Sequence, residues 1–192
     1  MEQIRKQETI IYGGAFNPPT LAHKVILEAC VEYAQTQAAD VWVMPSGDRQ
    51  DKTIRTSREL RLAFIDAMIE SVDNKAVAPE VITTELDRTV LVETYDTIKE
   101  LERDYPGRRF TFVFGADSTE TMASWKGGRE LLDELSMLVF ERDGSAVNPL
   151  ARHAVRMQVQ TPNVSSTQVR ELVAAGASID HLVAGPVAQL LY

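Results

Sequence analysis

The sequence predicts an α/β fold: a mostly parallel β-sheet with helices on both faces. Three observations predict it. Short β-rich runs alternate with helical patterns along the chain, which is the signature of βαβ units. Gly or Pro stops several of those runs, at Gly13-Gly14, Pro45-Ser46-Gly47 and Gly115. The 192 residues are 44% hydrophobic and 25% charged, values of a single globular domain that buries its own core.

The elements follow in order. Residues 9–13 (TIIYG) form a first strand, and residues 21–36 a helix with Leu21, Val25, Leu27, Val31 and Ala34 at helical spacing. Residues 40–45 (DVWVMP) are a second strand. Thr56 and Glu59 read as a capping box ahead of a helix over 60–69. A weak strand is expected at 77–84 and a helix at 94–104, closed by Pro106-Gly107. Residues 110–114 (FTFVF) are the strongest strand. One or two helices lead to about Leu135, then come strands at 137–140 and 155–160, with 143–151 as an exposed linker. Ser165 and Gln168 form a second capping box before a helix over 169–175. Ile179, Leu182 and Val183 continue a helical face, and 186–191 is a short last helix. The reading is one domain over 1–192, with a small helical part from about 162 onward.

Composition excludes several classes. No apolar run approaches the roughly 18 residues of a membrane span. The start, MEQIRKQET, lacks the apolar core of a signal peptide. The lone cysteine, Cys30, cannot pair within the chain, which fits a reducing cytoplasm. A net charge of −8 repels polyanions, so nucleic-acid binding is not expected, and any anionic ligand needs locally built compensation. His153 and His181 lack companions at ligand spacing, so no protein-held metal is expected. Self-association is left open.

In parallel α/β sheets, ligands bind beyond the carboxyl ends of the strands. That directs attention to the turns at 13–23, 45–56, 115–119 and 161–167. The first reads Gly13-Gly14-Ala15-Phe16-Asn17-Pro18-Pro19-Thr20-Leu21-Ala22-His23. Its glycines permit close backbone approach. Thr20 and His23, three apart, share a face of the first helical turn, where a helix amino terminus favours an anion. Hydroxyl and imidazole together suit phosphate oxygens. No Gly-Lys-Ser/Thr follows and no G-x-G-x-x-G is present, so this is neither a Walker loop nor a dinucleotide fingerprint. In the last turn, Ser165, Ser166 and Thr167 open a helix with Arg170 one turn along, a second set of phosphate-seeking groups. Asp117 follows a strand end, where a carboxylate can meet a ribose hydroxyl, and Trp125 offers a ring for stacking.

These segments resemble one superfamily. GGAFNPPTLAH is similar to the GGxFDPxHxGH signature of the adenylyltransferases of the nucleotidyltransferase superfamily. Met44-Pro45-Ser46-Gly47 with Lys52 resembles its PSG-x-x-x-x-K loop. Glu85-Leu86-Asp87-Arg88, with Thr94, Asp96 and Thr97, resembles its E-x-x-R and Y-T-x-D-T segment. Phe114-Gly115-Ala116-Asp117 followed by Trp125 matches its G-x-D and tryptophan, and Val164–Arg170 its ISSTxxR motif. Among subfamilies the likeness is greatest to the bacterial nicotinate-nucleotide adenylyltransferases.

The resemblance implies a three-layer Rossmann-like nucleotidyltransferase fold and direct transfer of AMP from ATP to a nicotinate or nicotinamide mononucleotide, releasing pyrophosphate. It implies His23, Thr20, Lys52 and Arg170 as the catalytic group, with Mg²⁺ accompanying ATP. It places ATP on Gly13, Gly14, Ala15, Phe16, Gly115, Asp117, Ser165, Ser166 and Thr167, and the mononucleotide on Asn17, Glu93, Thr94 and Trp125. The alternatives are another nucleotidyltransferase, of phosphopantetheine or cytidylyl type, or a nucleotide-binding protein without catalysis.

The chain departs from the pattern at Asn17 for Asp, Thr20 for the first His and Ala22 for Gly. Arg49-Gln50-Asp51 replaces a Pro-Pro-His run, and Val90, Val92 and Glu93 stand where Gly, Ser and Tyr are usual. A carboxylate at 93 near the pyridine would disfavour the nicotinate anion, so the neutral nicotinamide form is expected to be accepted at least as well.

Overall fold

A computed structural model describes residues 6–47, 54–74, 76–88, 90–141 and 145–192. Six parallel strands form one sheet in the order β3-β2-β1-β4-β5-β6. They are β1 (Gln7–Gly14), β2 (Asp40–Pro45), β3 (Glu80–Val81), β4 (Arg108–Gly115), β5 (Ser136–Phe140) and β6 (Ala154–Met157). The helices are α1 (Leu21–Gln37), α2 (Arg58–Glu70), α3 (Thr94–Asp104), α4 (Ala116–Thr121), α5 (Gly128–Glu134), α6 (Ser166–Ala174) and α7 (Gly185–Gln189).

Strand alternation splits the core in two. Ile10, Tyr12, Val41, Val43, Val113, Leu138 and Phe140 face one layer with residues of α1, α2, α6 and α7. Ile11, Trp42, Met44, Phe110, Phe112, Met137 and Val139 face the other, with residues of α3 and α5. Both faces are covered, so the central strands β1, β2, β4 and β5 are apolar on both sides, as in other parallel sheets. The chain winds outward from β1 through β2 to β3, then returns to β4 beside β1 and winds the other way. The reversal falls between β1 and β4. Their carboxyl ends, Gly14 and Gly115, therefore flank the crevice where such sheets take ligands.

Several expected boundaries move. The cap of α2 is Ser57, whose hydroxyl accepts from the Leu60 N–H (3.2 Å), not Thr56. The weak strand at 77–84 shrinks to the two residues of β3. Ile179, Leu182 and Val183 are buried, but in turns rather than a helix. The Leu182 carbonyl is needed elsewhere, as acceptor for the Leu21 N–H at the start of α1 (2.8 Å). Of the exposed linker expected at 143–151, residues 143 and 144 lie outside the described residues; 145–151 form neither helix nor strand and expose Ala146, Pro149 and Leu150, yet the tract is anchored. Val147 is buried, and Asn148 accepts no freedom: its backbone N–H donates to Thr119 Oγ1 (3.0 Å) and its side-chain amide to the Thr119 carbonyl (2.9 Å). No helix among the described residues is long and apolar enough to cross a membrane.

Candidate active site

The β1–α1 turn is built around a buried aromatic. Phe16 has φ 44°, a left-handed conformation that a bulky residue rarely adopts. Its ring is fully buried, edge-on to Tyr12 (5.3 Å between centroids) and to His23 (5.5 Å). Phe16 was expected among the nucleotide-binding residues. Its side chain instead supports the imidazole from the core, so only its backbone can serve a ligand.

His23 is at the third position of α1 and folds back on Thr20, the residue capping that helix. The Thr20 N–H donates to His23 Nδ1 (3.0 Å), and the Thr20 hydroxyl also reaches Nδ1 (2.8 Å). A nitrogen that accepts from an N–H carries no proton itself. The neutral ring therefore holds its proton on Nε2 and presents a donor. Thr20 is 1% exposed. The expectation that its hydroxyl points to an anion beside His23 is thus corrected: it orients the ring. The open helix terminus is corrected too. The amides of Thr20 and Leu21 are engaged by His23 and by the Leu182 carbonyl.

Other elements converge on this turn. The Ser46 N–H donates to the Gly14 carbonyl (2.8 Å), joining the β2–α2 turn to it. Arg61 of α2, 3% exposed, donates from Nε to the Ala15 carbonyl (3.0 Å) and from Nη2 to the Ser46 carbonyl (2.6 Å). The Thr56 hydroxyl donates to Asn17 Oδ1 (2.5 Å). From the carboxyl-terminal part, the Ser166 hydroxyl donates to the Pro18 carbonyl (2.8 Å) and Arg170 Nη1 to the Asn17 carbonyl (2.7 Å). Ser165 caps α6 through the Gln168 N–H (3.1 Å), and Thr167 Oγ1 accepts from Arg170 Nη2 (3.0 Å). Thr167 and Arg170 remain exposed at this junction. Hydroxyls, an imidazole and a guanidinium from β1–α1, β2–α2 and α6 thus meet in one place. That donor set suits phosphate oxygens. Lys52 lies outside the described residues.

Across the crevice, Gly115 caps α4, and a Cβ there would come within 2.3 Å of Asp117 Oδ1, so the carboxylate leans over the Gly115 backbone. Trp125 is half-buried, its ring edge-on to Phe114 (6.1 Å). Next to it, Gly127 takes φ 64° and a Cβ there would meet the Tyr95 ring at 2.1 Å. Lys126 pairs with Asp96 and the Tyr95 hydroxyl donates to Glu130 (2.9 Å). The start of α3, with Glu93 and Thr94, therefore sits against the 125–127 turn, as a group distinct from the phosphate-seeking one. Glu93 is exposed and caps α3 in a reciprocal box with Asp96, whose carboxylate accepts from the Glu93 N–H (3.3 Å). A carboxylate committed to a helix end is a poor basis for acceptor choice, and the expected tilt toward the neutral pyridine loses its physical ground.

The E-x-x-R segment works inward. Thr97, fully buried, donates to Glu85 (2.8 Å) and accepts from Arg88 Nη1 (2.7 Å), and Arg88 also pairs with Glu100. Gly47 backs onto this loop: a Cβ there would lie 2.6 Å from the Glu85 carbonyl. Among the described residues no group of three or more metal-ligating side chains gathers.

Arg61 and Thr56 are the site residues that sequence reasoning missed. Arg61 had a signal. It lies on the stripe Arg61, Phe64, Ile65, Met68, whose spacing marks the buried face of α2. A charged residue on such a stripe needs an internal partner.

Comparison with known proteins gives the family and the fold. A family model described as cytidylyltransferase-like matches residues 11–172. A probable nicotinate-nucleotide adenylyltransferase of Exiguobacterium sibiricum is 34% identical over 184 residues, covering 94% of this chain and 94% of that protein. One from Halalkalibacterium halodurans is 29% identical, covering 95% and 87%. The structure of Plasmodium falciparum nicotinic acid mononucleotide adenylyltransferase complexed with NaAD superposes with a TM-score of 0.79 at 20% identity, covering 96% of this chain and 94% of that one, a likeness of fold. The chain belongs to the cytidylyltransferase-like family.

Proposed function

We propose that this protein transfers the adenylyl group of ATP to the phosphate of nicotinate mononucleotide, forming the dinucleotide and pyrophosphate. The observation that carries the reading is the held imidazole: His23, oriented by Thr20, presents an Nε2 donor beside a turn braced from three directions. The names of the relatives at 34% and 29% identity supply the acceptor.

In this reading a phosphate oxygen of the mononucleotide attacks the α-phosphorus of ATP. The bond from that phosphorus to the oxygen bridging to the β-phosphate breaks, and pyrophosphate leaves with the electron pair. Little covalent work falls to the protein, and positioning and charge stabilisation dominate. His23 donates to an α-phosphate oxygen. Arg170, fixed on Asn17 and Thr167, faces the departing pyrophosphate with Ser165, Ser166 and Thr167, and the resemblance adds the charge of Lys52 to theirs. Gly115 and Asp117 seat the nucleoside, while Asn17, Thr94 and Trp125 border the pyridine nucleotide. Mg²⁺ enters as MgATP, a form in which the ion is held mainly by phosphates and water, and it offsets phosphate charge.

Pyrophosphate release from MgATP and MgCTP, measured over nicotinate mononucleotide, nicotinamide mononucleotide and phosphopantetheine, tests the proposal. The expected result is turnover with MgATP and nicotinate mononucleotide. Preference for phosphopantetheine or for CTP, or ATP binding without turnover on any acceptor, would replace the reading with one of its alternatives.

A further inference from the structure

We propose that Arg61 is a positioning residue for adenylyl transfer: its guanidinium fixes the β1–α1 turn against the β2–α2 turn. This deepens the function proposed above and rests on it. Two bonds carry the inference, from Nε to the Ala15 carbonyl (3.0 Å) and from Nη2 to the Ser46 carbonyl (2.6 Å). The planar fork spans both acceptors at once, which an ammonium cannot do. Arg61 is 97% removed from solvent by the same measure that leaves Ala15, Ser46 and Gly47 half-exposed. The arginine therefore lies behind the two turns, and the ligand-facing residues lie in front.

Peptide geometry extends the argument. Asn17–Pro18 is the cis bond recorded in the chain, so the peptides at 14–15 and 46–47 are trans. In a trans peptide, C=O and N–H point to opposite sides. The Gly14 carbonyl turns to the Ser46 N–H, so the Ala15 N–H turns away from it. The Ser46 carbonyl turns to Arg61, so the Gly47 N–H turns away from Arg61. Amides turned outward on two neighbouring turns are placed to meet an anion between them. Arg61 thus sets the spacing between two amide-bearing turns without touching a ligand. Its carbonyl at Ala15 also precedes Phe16, the ring that supports His23.

The test uses the full chain with Arg61→Lys and Arg61→Met. Arg61→Lys, which keeps the charge but loses the fork, is expected to fold with a melting temperature near the parent's. Its kcat should fall by about 10–100-fold, with KM for MgATP raised, because misplacing reacting groups by an ångström costs that much. Folded Arg61→Met, which removes every donor, should lose at least as much kcat as Arg61→Lys. A folded Lys variant with parental kcat and KM would overturn the inference, as would losses that merely follow the folded fraction. The dissociation constant for MgATP separates this outcome from failure of the functional reading. Should the parent bind MgATP but make no dinucleotide, the functional reading fails; weaker MgATP binding by the folded Lys variant then still supports the role of Arg61, and unchanged binding overturns it. A parent that does not bind MgATP overturns both.

Discussion

The two walls of the crevice are held by different kinds of bond. On the ATP side, the tethers reach far along the chain and end on backbone carbonyls: Arg61 on Ala15 and Ser46, Ser166 on Pro18, Arg170 on Asn17. On the acceptor side, exposed ion pairs prevail, such as Arg58 with Asp87 and Lys126 with Asp96. There the loop before α3 also exposes Val90 (68%) and Leu91 (52%). Carbonyl tethers, that of the buried Arg61 above all, hold one geometry, whereas exposed pairs contribute little and are screened. His23 and Arg170, to which the proposed reaction assigns the transferring phosphates, stand on the rigid wall. The looser wall is where this chain departs most from the pattern it resembles.

Substitutions should separate the walls by the size of their effects. The largest belongs to His23. His23→Ala should lower kcat by about 10²–10⁴-fold, roughly 3–5 kcal/mol, with MgATP affinity and melting temperature little changed. Near-parental turnover would remove the imidazole from the chemistry, and a collapsed fold would make it a packing residue. Next comes Arg170→Ala. Losing a charged donor of about 1.5–3 kcal/mol should cut kcat/KM for MgATP by about 10–100-fold, with Lys restoring only part. Unaltered ATP kinetics would make Arg170 a brace for Asn17 and nothing more.

Effects on the acceptor side should be smaller. Glu93→Gln should alter the ratio of kcat/KM for nicotinate over nicotinamide mononucleotide by less than about threefold, since Gln removes a screened, exposed charge. A change above about tenfold would return Glu93 to the acceptor pocket. The smallest effect should be that of Arg58→Ala, a melting temperature lowered by at most about 4 °C, as for an exposed pair of about 0.2–1 kcal/mol. A hydrogen bond from Thr83, then Arg58, holds the Asp87 carboxyl below its ordinary range. A lowered carboxyl stabilises the fold above its unfolded-state value, and that stabilisation fades as pH falls through the lowered folded value. The difference between parent and Arg58→Ala should therefore be present at neutral pH and vanish in acid.

Local pattern explains what the sequence revealed. The strands and the β1–α1 turn are legible because alternation and turn residues act between neighbours. The spacing of Thr20 and His23 puts them on one face, and the structure brings them together, but the inward turn of the Thr20 hydroxyl is not legible, because its burial is a tertiary event. Arg61 was hidden for a deeper reason. Its partners are carbonyls, which every residue owns, so no side-chain pattern names them. The 145–151 tract is legible as an irregular, partly exposed connection, but its anchoring to Thr119 is a tertiary event that composition does not carry.

The central claim is that His23 offers a proton donor and not a lone pair to the transferring phosphorus. With Nδ1 accepting from Thr20 and the proton on Nε2, the ring cannot be the nucleophile of a covalent intermediate. In the proposed reaction the mononucleotide phosphate is then the nucleophile, and transfer occurs in one displacement. The direct measurement is the stereochemical course at phosphorus, with a single diastereomer of the α-thio analogue of ATP and nicotinate mononucleotide as acceptor. The account predicts inversion at the α-phosphorus. Retention would show two displacements through an adenylylated residue and would contradict it.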